Sequence, residues 1–273
     1  MTFGERLHAA VVERGPLCAG IDPHASLLLE WGLEDSVAGL ETFAFTAVEG
    51  LAPYVSVVKP QSAFYERFGS RGIAVLERVI AESREAGALV LLDVKRGDIG
   101  STSQAYADAY LDPVSPLACD AITVSPYLGF GSLDPFVDTA ARYGAGLFVL
   151  GLTSNKEGPE VQRATVDTGE TVAARMLTHL RNLNGEAAPL GSFGAVVGAT
   201  IGSAADSERD HDLAFNGPIL APGFGEQGGT VADIKRIFGD LPVLPSSSRG
   251  LLRHGPSVEA LRDAALRTND ELR

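Results

Sequence analysis

Cysteine is scarce: Cys18 and Cys119 are the only two in 273 residues. Two are too few for a disulfide framework, so a reducing cytoplasm is the expected compartment. No apolar run approaches the ~20 residues that a membrane span requires. Residues 1–10, MTFGERLHAA, carry charge early and lack an apolar h-region, so no signal peptide is expected. Basic residues are outnumbered, 22 Lys and Arg against 35 Asp and Glu, and they form no run. That balance argues against nucleic acid and anionic membrane as partners, although a local site can still hold an anion. The five histidines are scattered and suggest no metal site. Neither G-x-S-x-G nor a Ser/His/Asp set supports acyl hydrolysis.

What is present is alternation. Apolar or β-branched runs at 17–21, 54–58, 89–94, 120–124, 147–152, 193–197, 218–221 and 241–244 read as strands. Helical spacing follows them at 36–51, 74–86, 102–111, 133–143, 168–183, 207–214, 230–238 and 257–266, after a leading helix over 3–14. Ser36 is placed as a cap, and Gly87 and Gly144 as helix stops. Eight βα units in this length predict an α/β fold, a (β/α)8 TIM barrel with a parallel eight-stranded sheet and an extra N-terminal helix. No composition shift marks a linker, so one domain is expected over 1–273. The extra length at 184–192 and 203–211 has no assigned role; the first reads as a surface loop.

The chain's chemistry is concentrated in residues 89–102, LVLLDVKRGDIGST. Four apolar residues suit a strand buried on both faces of a parallel sheet. Period-two geometry then points Asp93 and Lys95 to the same side. Charges placed there must be paired or used, because an unpaired buried charge costs several kcal/mol. Asp98 follows where the strand should yield to a loop. In a barrel of this kind, active sites are built at the carboxyl ends of the strands. The noteworthy residues fall at those ends: Asp22 after the first strand, Lys59 after the second, Asp93, Lys95 and Asp98 after the third, Ser154 after the fifth, Arg249 after the eighth.

Gly223-Phe-Gly225-Glu-Gln-Gly228 satisfies G-x-G-x-x-G, which invites a dinucleotide reading. That fingerprint wants an acidic residue at the end of the next strand, and Ser246, Ser247, Ser248 and Arg249 stand there instead. The loop, including Gly229, is therefore expected to offer bare backbone amides, with a helix starting near Gly229, to an anion. Loops after strands seven and eight are the usual phosphate site of this fold, and Arg249 would add a bidentate partner.

These residues together resemble orotidine 5′-phosphate decarboxylases. D-V-K-R-G-D-I-G-S-T (93–102) is similar to the family's D-x-K-x-x-D signature, in the form carried by its longer bacterial (type 2) subgroup. G-I-D-P-H, V-V-K-P-Q, S-P-Y-L-G, T-S-N and P-G-x-G-x-Q-G-G fall in order along nearly the whole chain. The resemblance implies a catalytic array of Lys59, Asp93, Lys95 and Asp98. It implies a homodimer in which Asp98, with Thr102 beside it, reaches into the neighbouring subunit's site. Asp22 and Lys59 would hold the ribose hydroxyls, Ser154 would face the pyrimidine, and Gln227 and Arg249 would grip the phosphate.

The implied reaction converts orotidine 5′-monophosphate (OMP) to UMP in pyrimidine biosynthesis, with no metal or other cofactor. Lys95 would stabilise the C6 carbanion and then protonate it, inside a site where water cannot screen the charge. Asp93 would lie near the departing carboxylate. One alternative is a Mg²⁺-dependent sugar-phosphate decarboxylase or aldolase of similar barrel design. Such an enzyme wants an acidic ligand on the second strand, where this chain offers Lys59. The other is a non-catalytic phosphate-sugar sensor, against which the intact tetrad speaks.

Overall fold

The computed structural model describes residues 1–199, 212–225 and 228–273. Eight parallel strands pair in chain order and close on themselves: β1 Cys18–Ile21, β2 Val57–Pro60, β3 Leu89–Arg96, β4 Ala121–Val124, β5 Gly146–Leu152, β6 Phe193–Val197, β7 Ile219–Pro222 and β8 Val243–Ser247. The barrel closes where Cys18 and Ala19 of β1 meet Ser246 and Ser247 of β8.

Each strand divides its residues by period two. The outward set (Ala19, Val58, Ile122, Val149 and their like) joins the large core beneath the surrounding helices. Cys18, Val57, Leu91, Ala121, Phe148, Leu220 and Leu244 turn inward to form a second apolar cluster. Helix Phe3–Arg14 closes that cluster from below. Thr2 and Glu5 form its capping box, and its buried Phe3 and Leu7 enter the interior. The Phe3 ring meets Phe148 edge-on at 6.0 Å. Gly146 must lack a side chain there, because a Cβ would lie 2.3 Å from the Phe3 ring. Arg6 of this helix binds Asp120, whose other oxygen accepts the Val90 amide at 2.9 Å.

The helix over 3–14 and strand 193–197 have the expected limits, and Ser36, Thr230 and Ser257 cap the helices after them. Four strands run further than apolar runs suggested: β2 to Pro60, β3 to Arg96, β7 to Pro222 and β8 to Ser247. Lys59 and Lys95 thus lie within strands rather than after them, because polar groups there have partners in the barrel mouth. Short helices at Ala25–Glu30, Ala63–Glu66, Pro159–Gln162 and Arg249–Leu252 were not expected. They are too short for a period to show. Of the surface loop expected over 184–192, residues 185–189 are exposed, whereas Asn184 ends a helix and is buried, as are Leu190 and Gly191. The helix expected over 207–214 lies outside the described residues except for 212–214, which are irregular. Among the described residues, no helix is long and apolar enough to cross a membrane.

Candidate active site

The inward face that is apolar at the bottom becomes polar two residues later along several strands. Val57 is followed on that face by Lys59, Leu91 by Asp93, Ala121 by Thr123 and Leu244 by Ser246. These residues line a cleft of about 500 Å³ at the carboxyl ends of the strands, together with Asp22, Lys95, Ser154, Gly223, Ser248 and Arg249. Leu150, Val196 and Leu220 supply an apolar wall.

At its centre Asp93 is held between two ammonium groups. Lys59 Nζ donates to Oδ2 at 3.1 Å, Lys95 Nζ to Oδ1 at 2.6 Å, and the Thr123 hydroxyl to Oδ1 at 2.8 Å. Lys59 and Asp93 are buried, whereas the Lys95 side chain is 46% exposed. Burial pushes the Asp93 pKa up, but Lys59 and Lys95, with the hydrogen bonds from Lys95 and Thr123, outweigh it and hold the carboxyl well below its ordinary value. Burial likewise opposes the Lys59 ammonium; Asp93 and then Asp22 outweigh it, so Lys59 stays charged and its pKa rises. Two cations therefore flank one anion, and one of them, Lys95, extends into the cleft.

Asp93 and Lys95 do meet on one side, but not through regular strand geometry. From Leu92 to Arg96 the third strand advances four residues, while its partner on β4 advances two, from Ile122 to Val124. In this bulge Lys95 takes φ 45°, a left-handed conformation that costs a non-glycine residue about 1–3 kcal/mol. The amides of Val94 and Lys95 both donate to Thr123 Oγ1, at 3.0 and 2.9 Å. Thr123 was missed in the sequence. Its signal was a polar residue on the inward face of a buried strand, two positions beyond Ala121.

Asp22 and Ser248 also face the cleft, and Asp22 Oδ1 and Ser248 Oγ are buried without a hydrogen-bond partner. Such atoms cost about 1–3 kcal/mol each unless something bonds to them. His24 packs against Phe64 at 4.1 Å. Burial lowers its pKa, with Arg249 and Arg67 adding and Asp22 opposing. Among the described residues, no group of three or more His, Cys, Asp and Glu could hold a metal ion.

The glycine loop differs from expectation. Gly223, Gly225 and Gly228 do take positive φ, 96°, 77° and 87°. However, the amides expected to be bare are used within the turn: Gly225 N donates to Gly229 O, Gly228 N to Gly225 O and Gly229 N to Gly223 O, at 2.8, 3.0 and 3.2 Å. The following helix, Val231–Phe238, begins later than expected and is capped by Thr230 and Asp233, so its first turn already carries a carboxylate. Gly223 and Arg249 still share the cleft, which brings the loops after β7 and β8 together. Gln227 lies outside the described residues. Asp98 and Thr102 are not among the residues lining the cleft. Asp98 is half-buried and its carboxylate accepts the Ile99 amide at 2.8 Å; Thr102 is exposed on helix Gly100–Leu111.

Residues 15–264 match the family of orotidine 5′-phosphate decarboxylases and HUMPS proteins. The chain is 75% identical over 276 residues to an orotidine 5′-phosphate decarboxylase of Nocardioides sp., covering 99% of this chain and 98% of the relative. It is 61% identical over 273 residues to one from Streptomyces coelicolor, covering 99% and 97%. A crystal structure from Streptomyces avermitilis, provisionally named an orotidine 5′-phosphate decarboxylase, is similar at a TM-score of 0.96 and 60% identity, covering 99% of this chain and 94% of that one.

Proposed function

The chain belongs to the orotidine 5′-phosphate decarboxylase / HUMPS family, and from that premise we propose how its cleft does the chemistry. The protein is an enzyme that decarboxylates OMP to UMP in pyrimidine biosynthesis. The observation that carries the assignment of roles is the buried Asp93 between Lys59 and Lys95.

Loss of CO2 leaves an electron pair at C6 of the pyrimidine, with no neighbouring carbonyl able to delocalise it. A fixed ammonium stabilises that charge as it develops, the more so once bound substrate displaces water from the cleft. Lys95 fills the role: its Nζ is held by Asp93, its side chain reaches open space, and a proton from it completes the product. Asp93 lies next to the substrate carboxylate, and the repulsion between them disappears as CO2 departs. Lys59, anchored on the far oxygen of Asp93, keeps that carboxylate ionised and, with Asp22, meets the ribose hydroxyls. The partnerless Asp22 Oδ1 is an acceptor suited to a hydroxyl.

Ser154 faces the pyrimidine. Arg249 takes the phosphate, with Gly223 beside it; Gly225, Gly228 and Gly229 shape the turn rather than donate to the anion. Protein groups alone carry the developing charge in this reading. The magnesium-dependent alternative is not favoured, because Lys59 occupies the second-strand position where an acidic ligand would be needed and would repel a cation.

The enzyme works as a homodimer with shared sites, in the cytoplasm. Support for sharing is that Asp98 and Thr102 stay out of the cleft of their own chain while Ile99, Tyr127 and Leu128 beside them are exposed apolar residues. The two loops adjoin, since Ser125 N donates to Arg96 O at 2.8 Å.

The test is turnover. Purified protein mixed with OMP should release CO2 and bleach the substrate's ultraviolet band, at the same rate with and without EDTA. A rate abolished by EDTA and restored by Mg²⁺ would replace this mechanism with the alternative.

A further inference from the structure

We propose that Arg96, with Glu66 and Tyr110, is a positioning device that holds the bulge of β3 and thereby aims Lys95 at the reacting carbon. The inference rests on the role given above to Lys95. It starts from a geometric requirement: a lysine at φ 45° within a displaced strand keeps that conformation only if its neighbours fix it. Thr123 fixes the amides of the bulge from inside the barrel. The carbonyls are fixed from outside. Ser62 N donates to Asp93 O at 3.2 Å, and Arg96 folds back so that Nη1 donates to Val94 O at 3.3 Å.

One carboxylate joins these two restraints. Glu66 Oε1 accepts from Arg96 Nη2 at 2.7 Å and from the Ser62 hydroxyl at 2.6 Å. The Tyr110 hydroxyl accepts from both Nε and Nη2 of Arg96, at 3.3 and 3.1 Å. The guanidinium also lies over the Tyr106 and Tyr110 rings, 5.5 and 5.7 Å from their centroids. Arg96 thus engages four groups at once, which a planar fork allows and a lysine ammonium does not. Glu66 ends the short helix Ala63–Glu66, which follows the strand that carries Lys59. The cluster therefore ties the Lys59 strand to the Lys95 bulge. None of Arg96, Glu66 and Tyr110 lines the cleft, so they act through Lys95 and Asp93 rather than on substrate.

A misaimed group weakens the transition state more than the bound substrate, so the signature is a split between kcat and KM. Arg96→Ala should lower kcat by on the order of 10²-fold, and Tyr110→Phe by roughly tenfold, with KM for OMP and affinity for UMP held within about twofold. Arg96→Lys should not restore the rate, whereas added guanidinium should recover part of it in Arg96→Ala. Unchanged kcat in both variants would overturn the proposal. So would parallel losses of kcat, UMP affinity and thermal stability, which is what a merely structural cluster would give. If Arg96→Ala does not fold, Tyr110→Phe and Glu66→Gln, which keep volume, decide on the same readouts. Lys95→Ala is measured alongside. Full activity there removes the premise, whereas its loss with unaffected cluster variants removes the positioning role alone.

Discussion

Asp120 and Asp93 are two buried aspartates at opposite ends of one barrel, each set between two cations. At the bottom, Asp120 meets Arg6 and Arg84, the latter at 3.5 Å, and also takes the Val90 amide. Asp120 itself is buried: helix Phe3–Arg14 covers that end, and the Arg6 fork is used again on the Gly144 carbonyl at 3.0 Å. At the top, Asp93 meets two lysines, one of them reaching into a cleft, beside a strained backbone and two polar atoms without partners. The same charge motif ties a helix to the barrel at one end and stores directed charge at the other. What separates them is the covering. Closed, it fixes the chain; open, it leaves charge for a ligand to meet.

The contrast fails if either end does the other's work. The largest expected effect is at the top: Lys95→Ala should cost roughly 10⁴-fold or more in kcat, since it removes both a charge and a proton donor. Its melting temperature should fall only modestly, because Asp93 keeps Lys59 and the Thr123 hydroxyl as partners when Lys95 is removed. Comparable kcat, read by the ultraviolet assay, would take Lys95 out of the mechanism.

Mixing comes next. The bottom is complete within one chain, whereas Asp98 stands outside the cleft of its own. If Asp98 serves the neighbouring copy, inactive Lys95→Ala and inactive Asp98→Ala should together regain about a quarter of parent activity after subunit exchange, as each hybrid holds one intact site. No recovery, with hybrids verified by mass, would refute sharing.

At the bottom, Phe3→Ala should destabilise by about 3–5 kcal/mol, the usual cost of emptying an aromatic core position. Per folded molecule its kcat should be unchanged; a chemical denaturation curve and active-site titration check both. Asp120→Asn should cost less, about 1–2 kcal/mol, because Arg6 and Arg84 are partly solvated and their pairing is screened. Its turnover, too, should persist.

The smallest effect concerns pH. The folded pKa of Asp93 lies below its unfolded value, so its contribution to stability is complete above the ordinary carboxylate pKa of ~4 and is lost only as pH falls through the depressed value. The gap in melting temperature between the parent and Asp93→Asn should therefore stay constant from about pH 9 to pH 5 and narrow only in stronger acid. A gap that changed near neutrality would mean that Asp93 titrates there and that the lysines do not hold it.

Much of this was readable in advance, for a definite reason. Alternating strand and helix runs are local patterns, and eight of them in this length leave few closures. Asp22, Lys59, Asp93 and Arg249 were expected on one rim because each stands at or just beyond the end of a strand, and all four line the cleft. Thr123 and Ser248 drew no site role, since a hydroxyl in a strand or loop is common and only its neighbours reveal what it faces. The glycine loop misled in the opposite way. Its spacing suggested free amides, but the turn satisfies Gly225, Gly228 and Gly229 internally.

By itself, then, the order of residues determined the element types, the barrel and the rim on which its charges gather, because those follow from periodicities of two and 3.6 along the chain. Only the folded structure decided the bulge at Lys95, the double acceptance by Thr123 and the fourfold use of Arg96. Each of these depends on groups far apart in sequence meeting at hydrogen-bond distance, and no local pattern encodes that distance.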